Sequence, residues 1–130
     1  MAEHPNAKLI RRGYEAFASG RLESLGDLMD PGVVWHEPGR SPVGGDYEGP
    51  SGVLELLGKF GELSDGTFSF DLVEVLATAN RAVAIHELTA RRGDRVLDMA
   101  SAVEFEIHSG KITEVTVYQD DTYHFDEFWS

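Results

Sequence analysis

The 130-residue sequence contains no cysteine. That excludes disulfides, thiol catalysis and cysteine-held zinc. Positive charge is also scarce: 11 Lys and Arg stand against 23 Asp and Glu, a net charge of −12. Such a chain repels a phosphate backbone, and no cluster of Lys and Arg offsets it, so nucleic-acid binding is not expected. No apolar stretch approaches the roughly 20 residues of a membrane span. Met1-Ala2-Glu3-His4-Pro5 lacks a basic segment leading into an apolar run, so no signal peptide and a cytoplasmic location are expected. What is present is ordinary for a globular protein: 42% hydrophobic and 26% charged residues. One soluble domain over residues 1–130 fits this length.

The first half of the chain reads as helical. Leu9, Ile10, Tyr14 and Phe17 recur at helical spacing before Gly20. Leu22, Leu25, Leu28 and Met29 mark a second short helix, closed by a turn at Asp30-Pro31-Gly32. Val33 to Glu37 reads as a short strand, followed by a Gly- and Pro-rich loop from Pro38 to Pro50. A loop of this length is either a pocket rim or lid, or a connection across a sheet end. Ser51 caps a third helix with Val53, Leu56, Leu57, Phe60 and Leu63 on one face.

The second half reads as four strands: Thr67 to Leu76, Ala82 to Arg91, Arg95 to His108 and Lys111 to Gln119. Arg92-Gly93-Asp94 and Ser109-Gly110 look like hairpin turns, which make their strands antiparallel. Tyr123 to Trp129 is an aromatic tail, either a closing helical turn or an extended cap. Three helices leading into such a sheet predict an α+β fold. Ala82-Val83-Ala84-Ile85 is apolar at both parities, the pattern of a strand buried on both faces. If helices cover one face, a second copy of the chain is expected on the other.

Three segments carry a resemblance: Tyr14-Glu15-Ala16-Phe17-Ala18-Ser19-Gly20, Val34-Trp35-His36-Glu37-Pro38-Gly39 and Tyr47-Glu48-Gly49-Pro50. With four closing strands, this order resembles the SnoaL-like polyketide cyclases of the nuclear transport factor 2-like superfamily, from about Asn6 to Trp129. The resemblance implies a cystatin-like cone or α+β barrel. A curved, mostly antiparallel sheet wraps three N-terminal helices around an apolar pocket, and the other sheet face serves a homodimer. It does not settle activity, because such a fold hosts isomerases, cyclases, hydrolases and binding domains.

Ketosteroid isomerases of this superfamily carry a general-base Asp just before a Pro on the first strand. Aligned on Glu37-Pro38, that resemblance turns Glu37 and Trp35 into the pocket and His36 away, unless a bulge reverses the parity and returns His36. The same alignment turns His86, Leu88 and Ala90 inward, then Met99, Ser101 and Val103, then Val115, Val117 and Gln119, with Asp121 just beyond the rim. Tyr14 and Phe17 fall on the floor. The isomerase Tyr position falls on Gly13 and its neutral acid on Val103, so steroid isomerisation is not implied. In cyclases of the family a late-strand Asp is the acid/base, and Asp120 or Asp121 is the nearest counterpart.

The candidate catalytic residues are therefore Glu37, His86 and Asp121, with Tyr14, Phe17, Trp35, His36, Met99, Ser101, Val103, Val117 and Gln119 as ligand contacts. A buried carboxyl is raised into the working range of a general base, and an imidazole beside it would serve as the acid. Plain alternatives exist: Glu37 pairing with Arg40, His86 as a bonded core histidine, and Asp121 as a helix cap. Arg91, Arg92 and Arg95 fall at a hairpin turn and are expected in solvent. No His-x-His or His-Glu-x-x-His spacing suggests a metal, and no phosphate loop suggests a nucleotide, so no cofactor is expected. Two functions follow. One is a cofactor-independent cyclase- or isomerase-type enzyme acting on an apolar carbonyl compound; the other is a non-catalytic binding domain for a hydrophobic small molecule.

Overall fold

In the computed structural model, which describes residues 3–130, four helices pack against one six-stranded sheet. Helix α1 (Pro5–Ala18) starts where His4 accepts the Asn6 N–H at 3.0 Å and Pro5 fills a position that needs no donor. Its buried face carries Ala7, Leu9, Ile10, Gly13 and Ala16. Helix α2 (Leu22–Asp27) follows, then strand β1 (Met29–Glu37). The strand is longer than the Val33 start expected from sequence. Asp30-Pro31-Gly32 is carried inside it as an irregular stretch, where the register against its neighbour shifts between Met29 and Val34. Proline is tolerated there because an irregular stretch leaves its position without a ladder bond to donate.

The expected loop also contains regular structure. Strand β2 (Gly45–Glu48) pairs antiparallel with β1, from Val34 opposite Glu48 to Glu37 opposite Gly45. Helix α3 (Gly49–Leu63) then begins directly, with Pro50 in its first turn, rather than after a Ser51 cap. Strands β3 (Ser69–Ala77), β4 (Arg81–Arg92), β5 (Arg95–His108) and β6 (Lys111–Gln119) complete the sheet in the order β2-β1-β6-β5-β4-β3. Every pairing is antiparallel except β1 with β6. Register shifts at Leu72/Glu74 and Glu106/Ile107 add the twist that lets the open sheet curve. Val53, Leu56 and Phe60 of α3 are buried with Leu9 and Ile10 of α1 in the core, against the concave face.

The aromatic tail is a fourth helix, α4 (Thr122–Trp129), which buries Phe125, Phe128 and Trp129. Its last carbonyls engage both Arg92, which is only partly exposed, and Arg95, which is exposed as expected. Arg92 donates to Leu63 O at 3.1 Å and to Phe128 O at 2.9 Å, and Arg95 donates to Ser130 O. Two guanidiniums thus satisfy a helix C-terminus that would otherwise present bare carbonyls. At its other flank, Asp126 accepts the Arg40 N–H at 3.1 and 3.0 Å. This contact needs Gly39: its φ is +100°, and a Cβ there would stand 2.1 Å from an Asp126 carboxylate oxygen. Gly39→Ala is therefore expected to cost about 2 kcal/mol or more of stability, read as a lower urea midpoint. An unchanged midpoint would contradict this account of the loop.

Candidate functional site

Strand alternation sets the site. Trp35 and Glu37 stand on the concave face of β1, and both are buried. The Trp35 indole N–H donates to Glu37 Oε1 at 2.9 Å. Gln119, at the end of β6, donates its amide to Glu37 Oε2 at 3.3 Å. Ser101 donates to the Gln119 carbonyl oxygen, which fixes which end of that amide faces the carboxyl. Both Glu37 oxygens thus accept from the protein, yet burial outweighs those two donors and pushes the carboxyl up to about 8.

His86 enters from β4, opposite Ser101 of β5, and is also buried. Its Nδ1 lies 2.6 Å from the Tyr14 hydroxyl. Burial holds that phenol above its ordinary range and pushes the imidazole down to about 4. Both groups are neutral at pH 7, so the phenol donates to Nδ1 and leaves the proton on Nε2. The Phe70 ring lies against the imidazole with centroids 4.7 Å apart, and it meets Tyr14 edge-on at 5.9 Å.

Two cavities meet at this point and share Trp35, Phe70 and His86 as a common wall. The larger, about 50 Å³, runs toward α1 and α2 between Gly13, Tyr14, Phe17, Leu25 and Phe105. The smaller, about 10 Å³, holds Glu37, Gln119 and Val117 beneath Phe125 of α4. At neutral pH the combined space is uncharged. A neutral carboxyl and a neutral imidazole open onto an apolar, aromatic wall.

The remaining candidates fall elsewhere. His36 points out of the opposite sheet face, its nitrogens 2.8 Å from Asp46 and 2.7 Å from Glu114, and those carboxylates hold its pKa above the ordinary value. It cannot reach a ligand in the cavities. Asp121 is the cap of α4, accepting the His124 N–H at 3.0 Å, so it is a helix-stabilising group outside the cavities. Arg40 contributes its backbone N–H to Asp126 and no ion pair to Glu37. Met99 and Val103 are buried on the inner face but line neither cavity, and Ser101 acts through Gln119. Phe68, Phe70 and Phe105 line the space without having been expected there, as do Leu57 and Phe60, which the sequence marks only as the apolar face of the third helix. The alternation Phe68-x-Phe70-x-Leu72 was a signal for two of them, because Phe70 and Leu72 pair with Leu88 and His86. Among the described residues, no group of three or more His, Cys, Asp or Glu is placed to hold a metal, and no helix is long and apolar enough to cross a membrane.

Comparison with known proteins agrees with the fold. The protein Bal32a, from a soil-derived mobile gene cassette, is 38% identical and superposes with a TM-score of 0.93 over 97% of each chain. A protein with a cystatin-like fold from Xanthomonas campestris is 28% identical, with a TM-score of 0.87 over 95% of this chain and 96% of its own. Uncharacterized protein Rv0034 of Mycobacterium tuberculosis is 30% identical over 131 residues, the full length of both chains. Fold and topology therefore define a cystatin-like α+β domain, with an internal apolar cavity on the concave side of its sheet. Residues 10–115 match the SnoaL-like domain, and the chain belongs to that family.

The site predicts a distinctive pH dependence of stability. Between pH 4.5 and 6.5 folded Glu37 keeps a proton that the unfolded chain has lost, while folded His86 lacks one that the unfolded chain holds. The two slopes oppose each other. From pH 6.5 to about 8 only the Glu37 term of this pair remains, and stability falls by about 1.4 kcal/mol per pH unit. His36, raised by its carboxylates, adds a fall that Glu37→Gln retains. Urea unfolding should show wild type losing about 2 kcal/mol relative to Glu37→Gln between pH 6.5 and 8. A difference that does not vary with pH would contradict the buried, protonated carboxyl.

Proposed function

We propose that this pocket domain is a cofactor-independent enzyme that moves a proton α to the carbonyl of an uncharged, apolar compound, as in ring closure or double-bond migration. One observation carries the reading. A buried carboxyl and a buried imidazole, the latter bonded at Nδ1 by Tyr14, face the same small apolar cavity. Glu37 is the proton carrier: its ionised fraction removes the α-proton, and the resulting acid returns it to carbon or to the alkoxide of a closed ring. His86 acts as a neutral donor, its Nε2–H holding the oxygen on which negative charge develops. This differs from the imidazolium acid expected from sequence, because burial keeps the ring unprotonated at working pH.

Activity should therefore rise about tenfold per pH unit toward pH 8 and level off above it, against the trend of stability. The direct assay is deuterium uptake at the α-carbon of apolar ketones in D2O, followed by NMR. Glu37→Gln should lower the exchange rate about a hundredfold or more, and His86→Ala by a similar factor. Full exchange in both variants would overturn the mechanism. A ketone that binds without any α-exchange would favour the binding-domain reading, for which the almost wholly apolar lining of the larger cavity speaks.

We also propose that a second copy covers the convex sheet face, and a cytoplasmic setting fits this acidic, cysteine-free chain. Ile85, Ala102 and Tyr118 form a cross-strand apolar row there, and Leu76 lies opposite Val83 beside it. Tyr118, on the inner strand β6, is 55% exposed in the single chain, more than large apolar groups in a sheet centre usually are, and Leu76 on the edge strand β3 is 56% exposed. Sedimentation should give twice the chain mass of 14.3 kDa at micromolar protein, and Tyr118→Glu should return it to the monomer. A monomeric wild type would contradict the pairing.

A further inference from the structure

Gly13 stands in the middle of α1, where glycine is about 1 kcal/mol worse than alanine. The usual reasons for a glycine do not apply. Its φ is not in the left-handed region, and no backbone crosses close to it. A Cβ built there would meet only Leu25 and Leu28 side chains, at 3.5 and 3.7 Å, which is ordinary contact. The fold would accept alanine. What a methyl group would change is the larger cavity, whose wall includes both Gly13 and Leu25.

We infer that Gly13 is a specificity-determining residue that sets how far an apolar ligand chain or ring reaches between α1 and α2. The inference rests on the reading that the ligand's carbonyl sits at Glu37 and His86. With the oxygen held there, the rest of the molecule extends past Phe70 and Tyr14 into the larger cavity, whose wall includes Gly13 of α1 and Leu25 of α2. The ligand is then a neutral carbonyl compound with an unbranched or flat apolar tail. Its length is limited by the side chain at position 13.

The test is a homologous series of straight-chain alkyl phenyl ketones, acetophenone to octanophenone, titrated calorimetrically. In wild type, affinity should rise about fourfold per methylene until the tail fills the cavity, and then stop rising. Gly13→Ala should stop one methylene earlier and Gly13→Val earlier still, while ligand-free Gly13→Ala melts a few degrees higher than wild type. An identical stopping point in all three proteins, or a lower melting temperature for Gly13→Ala, would overturn the inference. Xenon-pressurised crystals separate this from the reading it rests on. If no ketone binds but xenon occupies the cavity beside Gly13 and is displaced in Gly13→Val, the role of Gly13 stands and the carbonyl reading fails. Xenon binding that is the same in both proteins would overturn the role of Gly13.

Discussion

The structure turns on one constraint: a carboxyl group has been taken out of water on the concave face of a curved sheet. An ionised Glu37 would need a countercharge, and among the described residues its hydrogen bonds come from neutral groups alone. Its neighbours supply neutral donors instead, Trp35 on one oxygen and Gln119 on the other. Those donors reduce the penalty of burial without cancelling it, so the group keeps its proton near neutrality. The Ser101–Gln119 bond and the Tyr14–His86 bond follow from the same logic. Each fixes the orientation of a polar group that has no water to turn toward.

The architecture supplies the space for this arrangement. Long strands β4 and β5 lie between β3 and β6, which carry the register shifts at Val73 and Thr113, and α4 closes the end where Glu37 lies. The clamp on α4 is polar and peripheral. Arg92 and Arg95 hold its C-terminal carbonyls, and Asp126 holds the Gly39-Arg40 loop. The cavity between these layers is held open by aromatic walls rather than by charge, which matches its neutral contents. On the convex face the chemistry is different: His36 with Asp46 and Glu114 is a solvent-side ion cluster, and Thr116, opposite His36 on β6, lies two residues along that strand from Tyr118 in the apolar row with Ala102 and Ile85.

Much of this was legible in the sequence because strand parity is a strict code. The resemblance supplied the starting point: with Glu37-Pro38 aligned on the isomerase strand end, Trp35 is implied inward and His36 outward unless a bulge intervenes. The same alignment implies His86, Ser101 and Val117 inward, and alternation within each strand keeps those sets together. Helix periodicity likewise separated the buried face of α1 and α3. Three things were hidden. The strand β2 was masked by glycine and proline, because an edge strand four residues long needs little intrinsic propensity when β1 supplies its partner. The partners of Arg92 and Arg95 lie 29 or more residues away and have no local signature. The proton balance of Glu37 and His86 depends on burial depth, which residue spacing does not carry.

The protonation state of Glu37 is the centre of the account, and carbon-13 NMR of the glutamate side-chain carboxyls reads it directly, with Glu37→Gln assigning the signal. The carboxyl should remain protonated at pH 7 and titrate near pH 8. A resonance that titrates near the ordinary glutamate value of 4.5 would contradict it.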